Sequence, residues 1–494
     1  MTSLNAKTVS GLSPAIGVPH YDRSGITGGI VHFGVGAFHR SHEAMFIHRI
    51  LESGITDWGI VGVGTLPGDS AMRDALVAQD CLYTLVTTSP HGEVIPTVIG
   101  SIIEYIFAPD DAAAVLARIA APTIRIVSLT ITEGGYGVND ATGEFDPSDE
   151  ATLADLAGFA AGAVPRSPLG FITAGLAARR AAGRVPFTVM SCDNIQGNGE
   201  MASKAVIAFA AMVDPDLARW ITANVKFPNS MVDRITPATT DEMRTSVSER
   251  FGAEDRWPVL AESFEQWVLE DNFSDGRPPL EKVGVQLADD VSPYEKMKLR
   301  LLNATHQAMS YLGLLSDAVY VHEVCRDKLF STFLLGYMSH EAIPTLEPVP
   351  GIHLEQYCAE LMRRFGSEAI KDTLARQIVD GSERIPKFLL PVISDRLAAG
   401  ESIRRSALVL AAWSRFIEGT SDSGAQLDPV DRRIKGLAAA VAAEKITPGA
   451  FLDYAAVFGE LGTHPVLRAE FVAARSRLAA VGARMAMAEV NSEG

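Results

Sequence analysis

Lys298, Asn303 and His306 follow one another on a stretch of helical spacing that opens with Ser292-Pro293-Tyr294-Glu295. Serine before the first turn, proline inside it and glutamate three residues on form a helix start. At about 100° per residue, Glu295, His306 and Asn303 lie about 60°, 80° and 140° around the axis from Lys298, within one sector. Lys298 and His306 are about 12 Å apart along the axis. A lysine leaning along the helix and a shared ligand can close that distance. A lysine whose pKa is lowered by burial or a nearby positive charge can take a hydroxyl proton while hydride leaves the carbon. Asparagine amides can hold the oxygen without competing for that proton. Taken alone, the same residues also suit an ordinary polar helix face, and the cap by itself explains Glu295.

Hydride chemistry needs a carrier, and one turn suits it. Gly34-Val35-Gly36-Ala37-Phe38-His39-Arg40 follows an apolar run, Gly29 to Phe33, and opens a helix. The first glycine permits a tight turn, and the second lets backbone approach a pyrophosphate at a helix N-terminus. His39 stands where a third small residue is usual, which weakens the match. A second apolar run ends at Gly64, and Asp69 follows it. An acid there either binds a ribose 2′-hydroxyl, favouring NAD over NADP, or caps the next helix. Met190-Ser191-Cys192-Asp193-Asn194 and Thr132-Glu133-Gly134-Gly135 end two further strands, where ligands of parallel sheets bind. Asn194 and Glu133 are therefore candidates, with plain turn chemistry as the alternative.

These pieces need a scaffold. At 494 residues the chain exceeds one core. The first half alternates strands (58–63, 124–131, 187–190) with helices (40–53, 111–120, 170–182), which predicts a mostly parallel sheet with helices on both faces. Residues 83–88 and 93–99 read as an added antiparallel pair. After about residue 290 helices dominate: 292–314, 325–338, 354–365, 403–418, 432–444 and 465–480. The expected fold is α/β: an N-terminal Rossmann-like domain, 1–288, followed by a mainly α-helical substrate-binding domain, 289–494, with the site in the cleft between them.

Composition excludes several roles. Lys plus Arg total 43 against 60 Asp plus Glu, a net charge of -17, which disfavours nucleic acid and anionic membranes. No apolar run reaches the roughly 18 residues of a membrane span. Residues 1–24 lack the form of a signal peptide. The cysteines, Cys81, Cys192, Cys325 and Cys358, form no C-x-x-C pair, so neither disulfides nor a zinc site is expected. A cytoplasmic location follows.

Five segments together resemble the mannitol dehydrogenase family of polyol-specific long-chain dehydrogenases: HFGVGAFHRSH (32–42), SLTITEGGY (128–136), MSCDN (190–194), FPNSMVDRITP (227–237) and YEKMKLRLLNATH (294–306). The most specific of these is FPNSMVDRITP. The resemblance spans nearly the whole chain. It implies interconversion of D-mannitol and D-fructose with NAD by hydride transfer at C2. Lys298 is implied as general acid-base, and Asn194 and Asn303 as amides on the reacting oxygen. His306 would orient lysine and substrate, and Glu295 would gate the proton path. Asp233, Arg376 and Arg384 would bind polyol hydroxyls, and no metal would take part. A monomer is implied. Where this chain has Arg384 the family can have lysine, which leaves D-arabinitol, D-sorbitol or fructuronate open as substrates. A catalytically idle NAD-binding sensor is the alternative of another class. Tyr294-x-x-x-Lys298 also spells the Y-x-x-x-K of short-chain dehydrogenases, but it lies far from the glycine turn.

Overall fold

The structure, a computed structural model, describes residues 2–139, 142–368 and 372–492. It divides into two compact units, the first running to Ser292 apart from the hairpin tip Pro90–Gly92, the second from Pro293.

Strands of the first unit are β1 (Gly28–Phe33), β2 (Gly59–Gly64), β3 (Tyr83–Thr88), β4 (Val94–Ile99), β5 (Ile102–Phe107), β6 (Ile126–Leu129), β7 (Thr188–Ser191), β8 (Ser230–Asp233), β9 (Val259–Glu262), β10 (Gln266–Glu270) and β11 (Gln286–Ala288). Five form a wholly parallel sheet in the order β5-β2-β1-β6-β7. Strand order reverses beside β1, so the loops after β1 and β6 bound a crevice. Side chains alternate across this sheet. Ile30, Ile60, Ile102, Ile126 and Met190 pack on one face. Val31, Phe33, Val61, Val63, Val127, Leu129 and Val189 pack on the other. Helices α1 (Ala37–Ser41), α2 (Glu43–Glu52) and α3 (Ser70–Ala78) precede β3, and α2 and α3 pack on the first face. Helices α4 (Ala112–Ala120), α5 (Pro168–Ala181) and α6 (Asn198–Val213) cover the second. Burial on both faces explains the continuous apolar runs of β1, β2, β6 and β7.

Two three-stranded sheets and a short parallel pair, Thr2–Ser3 with Ala253–Glu254, complete the unit. β9-β3-β4 contains the expected antiparallel pair β3–β4, and β11-β10-β8 carries Asp233 at the end of β8. The sequence pattern gave no strand for β5, β8, β9, β10 or β11. β5 is an edge strand, and Glu104 interrupts its apolar run. The others are short pieces recruited by pairing rather than by pattern.

The second unit is helical. α7 (Ser292–Met297), a π-helical segment (Lys298–Asn303) and α8 (Ala304–Leu315) form one continuous rod. Then come α9 (Leu374–Gln377), α10 (Gly381–Phe388), α11 (Arg404–Phe416) and α12 (Pro465–Ser492). α11 packs against α8 and α12. Its Trp413 lies among Tyr311, Phe451 and Phe458. α10 was not expected, since Gly381 and an internal Pro386 disguise it. Gly381 is required there: a Cβ would lie 2.3 Å from the Tyr311 hydroxyl.

Burial makes the first unit acid-sensitive. Desolvation lowers His48 from 6.5 to about 4, and its Nδ1 pairs with the Tyr21 hydroxyl at 2.7 Å. Desolvation likewise lowers His39 to about 3. An unfolded histidine takes a proton near pH 6.5 while these two stay neutral, so stability falls as pH drops below 6.5. Each contributes a loss of about 2 kcal/mol between pH 7 and 5. The unfolding midpoint should drop over that range, and His48→Gln should flatten the slope; an unchanged slope would show that His48 does not titrate this way.

Candidate active site

The glycine turn is shaped by what touches it. Gly34 has φ +91, and a Cβ there would lie 2.1 Å from the Thr130 carbonyl oxygen, so only glycine fits between β1 and β6. Gly36 is exposed, and its Cβ would meet nothing nearer than 3.9 Å. Its backbone therefore stands open to a ligand, at the N-cap of α1. Asp69 is the N-cap residue of α3 but makes no side-chain bond to that helix; its carboxylate accepts from the Leu66 N–H at 3.1 Å and caps the 3-10 turn Pro67–Asp69. Gly68 beside it has open space around it. An open glycine turn after the first strand and an acid after the second fit a dinucleotide. Residues 34–38, Asp69 and the exposed Glu133 would hold it.

Two expected contacts turn inward. His39 and Arg40 are each only 1% exposed. Arg40 donates to the Trp257 carbonyl at 2.5 Å and lies over the Tyr83 ring. His39 stacks on His32 with ring centroids 3.4 Å apart and donates to Glu43. Both side chains are spent on contacts inside the protein.

His32, His39 and Glu43 form a buried cluster whose nitrogen and oxygen atoms lie within 4.8 Å of one another. Register places His32 between Gly62 and Ser128, which makes room for it. A metal would have to lie in the plane of both imidazoles. Nearly parallel rings, 15° apart and stacked, share no such point. The cluster instead works by hydrogen bonds. Glu43 Oε2 lies 3.0 Å from His32 Nδ1 and 3.1 Å from His39 Nδ1, and accepts from the Ser128 hydroxyl at 3.0 Å. Burial opposes ionisation of Glu43, but the two histidines outweigh it and hold its carboxyl well below the usual range. The hydroxyl of Thr130, in contact with His32 Nε2, donates to the Gly34 carbonyl at 2.6 Å. Sequence reasoning missed Glu43, although its spacing of four from His39 was a signal.

Asn194 is exposed just beyond β7. The segment 227–237 explains itself locally. Asn229 accepts from the N–H groups of Gly199 and Glu200, satisfying the start of α6. Ser230 donates to the Ser191 carbonyl, joining β8 to β7. Asp233 is buried, and Arg234 donates to the carbonyls of Ser41 and Glu262.

In the second unit, Lys298, Asn303 and His306 are 7%, 7% and 8% exposed, and Glu295 is 7%. They belong to no ordinary solvated face. The uniform α-helix expected here is corrected by the π-helical segment, where Ala304 N–H bonds to Leu299 O, five residues back. The wider π turn brings Asn303 closer to Lys298 around the axis than the about 140° that α geometry would set between them. Asn303 Nδ2 is buried without a hydrogen-bond partner among the described residues. His306 packs on Phe365, ring centroids 4.6 Å apart. The Gln377 carbonyl accepts from both Gln307 of α8 and Arg384 of α10, tying the rod to both neighbours. Arg376 is bound at 2.7 Å through two nitrogens to Asp372. Tyr294 donates its hydroxyl to the Pro350 carbonyl at 2.8 Å, which commits the proton that a Y-x-x-x-K mechanism would need.

Comparison with known proteins places both units. Residues 28–282 match the mannitol dehydrogenase Rossmann domain, and residues 290–479 the mannitol dehydrogenase C-terminal domain. The chain is 44% identical over 464 residues to mannitol 2-dehydrogenase of Phaeosphaeria nodorum, covering 92% of this chain and 80% of that one. It is 44% identical over 472 residues to mannitol 2-dehydrogenase of Aspergillus clavatus, covering 94% of each. Among solved structures it is similar to Pseudomonas fluorescens mannitol 2-dehydrogenase in ternary complex with NAD and D-mannitol. That match has TM-score 0.89 and 41% identity, over 100% of both chains. A D-sorbitol dehydrogenase in substrate-free form matches with TM-score 0.90 and 37% identity, over 98% of this chain and 100% of that one.

Gly34→Ala tests the turn. A Cβ cannot sit 2.1 Å from a carbonyl oxygen, so the turn must shift. Dinucleotide affinity should fall at least about tenfold, measured by NADH fluorescence titration; unchanged affinity would place the cofactor elsewhere.

Proposed function

The chain belongs to the mannitol dehydrogenase family, and from that membership we propose that it is an NAD-dependent polyol 2-dehydrogenase interconverting D-mannitol and D-fructose. The observation that carries this reading is full-length similarity to a mannitol 2-dehydrogenase solved with NAD and D-mannitol. Bound NAD supplies the acceptor for the C2 hydride in oxidation and its donor in reduction. Lys298 takes the C2 hydroxyl proton as the C2–H bond breaks, leaving the C2 carbonyl, and returns the proton in the reverse direction. Asn194 and Asn303 hold the C2 oxygen, and the buried, unpartnered Nδ2 of Asn303 suits that task. His306 orients lysine and substrate, Glu295 leads the proton away, and Asp233, Arg376 and Arg384 bind the remaining hydroxyls. Asp69 accepts from the ribose 2′-hydroxyl, favouring NAD over NADP.

A neutral substrate is favoured over a uronate because Asp372 already neutralises Arg376. D-sorbitol is the second reading, supported by the equally good match to a D-sorbitol dehydrogenase. Four free, buried cysteines suit the reducing cytoplasm, where we place the protein as a monomer. Among the described residues no helix is long and apolar enough to cross a membrane.

NADH formation with D-mannitol, D-sorbitol and D-arabinitol, and NADH consumption with D-fructose and fructuronate, test the assignment. Mannitol and fructose should give the highest kcat/KM; a higher value for sorbitol selects the second reading, and no turnover with any substrate leaves only a cofactor-binding sensor. Lys298→Ala should lower kcat by about 10³-fold with NADH affinity kept, whereas Tyr294→Phe should stay within about threefold. The reverse pattern would move the acid-base role to Tyr294.

A further inference from the structure

Thr132, just beyond β6, has φ +61 and ψ 171. That conformation is nearly confined to glycine and costs about 1–3 kcal/mol in other residues. It persists only where neighbouring groups enforce it, and one buried side chain does so. Asp193 Oδ1 accepts from the Thr132 N–H at 2.8 Å, while Oδ2 accepts from the Ile131 N–H at 3.1 Å and the Tyr136 hydroxyl at 2.7 Å. The Tyr136 hydroxyl also contacts Ser191 Oγ at 2.7 Å. Both ends of the loop after β6 are thereby pinned to β7.

The backbone of Asp193 is held equally firmly. Its carbonyl, the one preceding Asn194, accepts from Asn198 Nδ2 at 2.9 Å and from the Ile195 N–H at 2.9 Å. Asn198 also donates to the Ser230 carbonyl at 2.7 Å, at the head of the strand that ends in Asp233. One residue thus joins the strained Thr132–Glu133 turn to the peptide that carries Asn194.

We propose that Asp193 is a positioning residue for the hydride-transfer reaction, fixing the Thr132–Glu133 turn on one side and the Asn194 amide on the other. It touches neither substrate nor cofactor. The claim rests on the polyol dehydrogenase reading for its kinetic consequence, but the loop geometry stands apart from that reading. Burial pushes the Asp193 carboxyl above its ordinary value, and the hydrogen bonds from Tyr136, Thr132 and Ile131 offset only part of that rise.

Asp193→Asn keeps the size but puts an NH2 group against one of the two loop N–H donors. Turnover of D-mannitol should fall at least about tenfold with polyol KM changed less than about threefold, as for loss of an interaction made in the transition state. NADH binding stoichiometry should stay at the wild-type value, which separates misplacement from a loss of folded enzyme. Hydrogen exchange at the Ile131 and Thr132 amides should speed up. Adding Thr132→Gly should recover at least about threefold of the lost kcat, since glycine accepts this conformation without strain; Thr132→Gly in the wild-type background is the reference. If Asp193→Asn does not fold, Tyr136→Phe removes one donor and leaves the carboxylate, and should give a smaller kcat loss with the same unchanged KM. Wild-type kcat in Asp193→Asn, or in Tyr136→Phe where that variant stands in, overturns the proposal. So does unchanged exchange at both amides. Wild-type enzyme inactive on every polyol would overturn the functional reading, while faster exchange in Asp193→Asn would still uphold the loop assignment.

Discussion

Loops at the carboxyl ends of parallel strands leave the sheet with unpaired backbone N–H groups, and a ligand site needs those loops held in one shape. In this protein buried carboxylates take backbone N–H groups at several places, one of them such a loop. Asp193 takes two N–H groups of the loop after β6. Asp255 takes those of Thr84 and Trp257, and Glu262 that of Ile235. In the second unit Glu341 takes those of Arg405 and Ser406, and Asp431 that of Ser382. A buried carboxylate with several donors is stable where an unpaired one is not. The acidic balance of the chain therefore has an inside component: some of its 60 acids are buried and bonded to backbone N–H groups.

The same logic distinguishes the two units. In the first, the chemistry offered to a cofactor is mostly backbone: an exposed Gly36, a turn held through Thr130, His32 and Glu43, and one acid, Asp69, after β2. In the second, the groups are side chains on a single rod. Its π-helical segment changes the angles between them, because the wider turn brings Asn303 closer to Lys298 around the axis. Such a segment weakens local helix geometry, and the packing of α8 against α9, α10 and α11 holds it in place.

Much of the scaffold was legible in the sequence. The strands buried on both faces announced themselves as β1, β2, β6 and β7, and the turn 34–40 stood at the right junction. The rod carrying Lys298 was readable from its start signal and spacing, although the π-helical segment was not. Edge and short strands were illegible because half their residues face outward or gain order only by pairing. The burial of His39 and Arg40 was not legible, since a motif gives position along the chain and not the direction a side chain takes. Asp193 and Asn194 look alike in sequence, yet one is buried under three donors and the other exposed.

By itself the sequence determined the two-part plan, the family and the cofactor class, because these depend on local pattern and on motifs contiguous in the chain. Only the tertiary structure decided what each polar group faces. It turned Glu43 and Asp193 into anchors of ligand-facing loops, and committed Tyr294 to Pro350 and Arg376 to Asp372. The reason is physical. A side chain's hydrogen-bond partners are distant in sequence and fixed only when the core packs, so burial and pairing cannot be read from spacing.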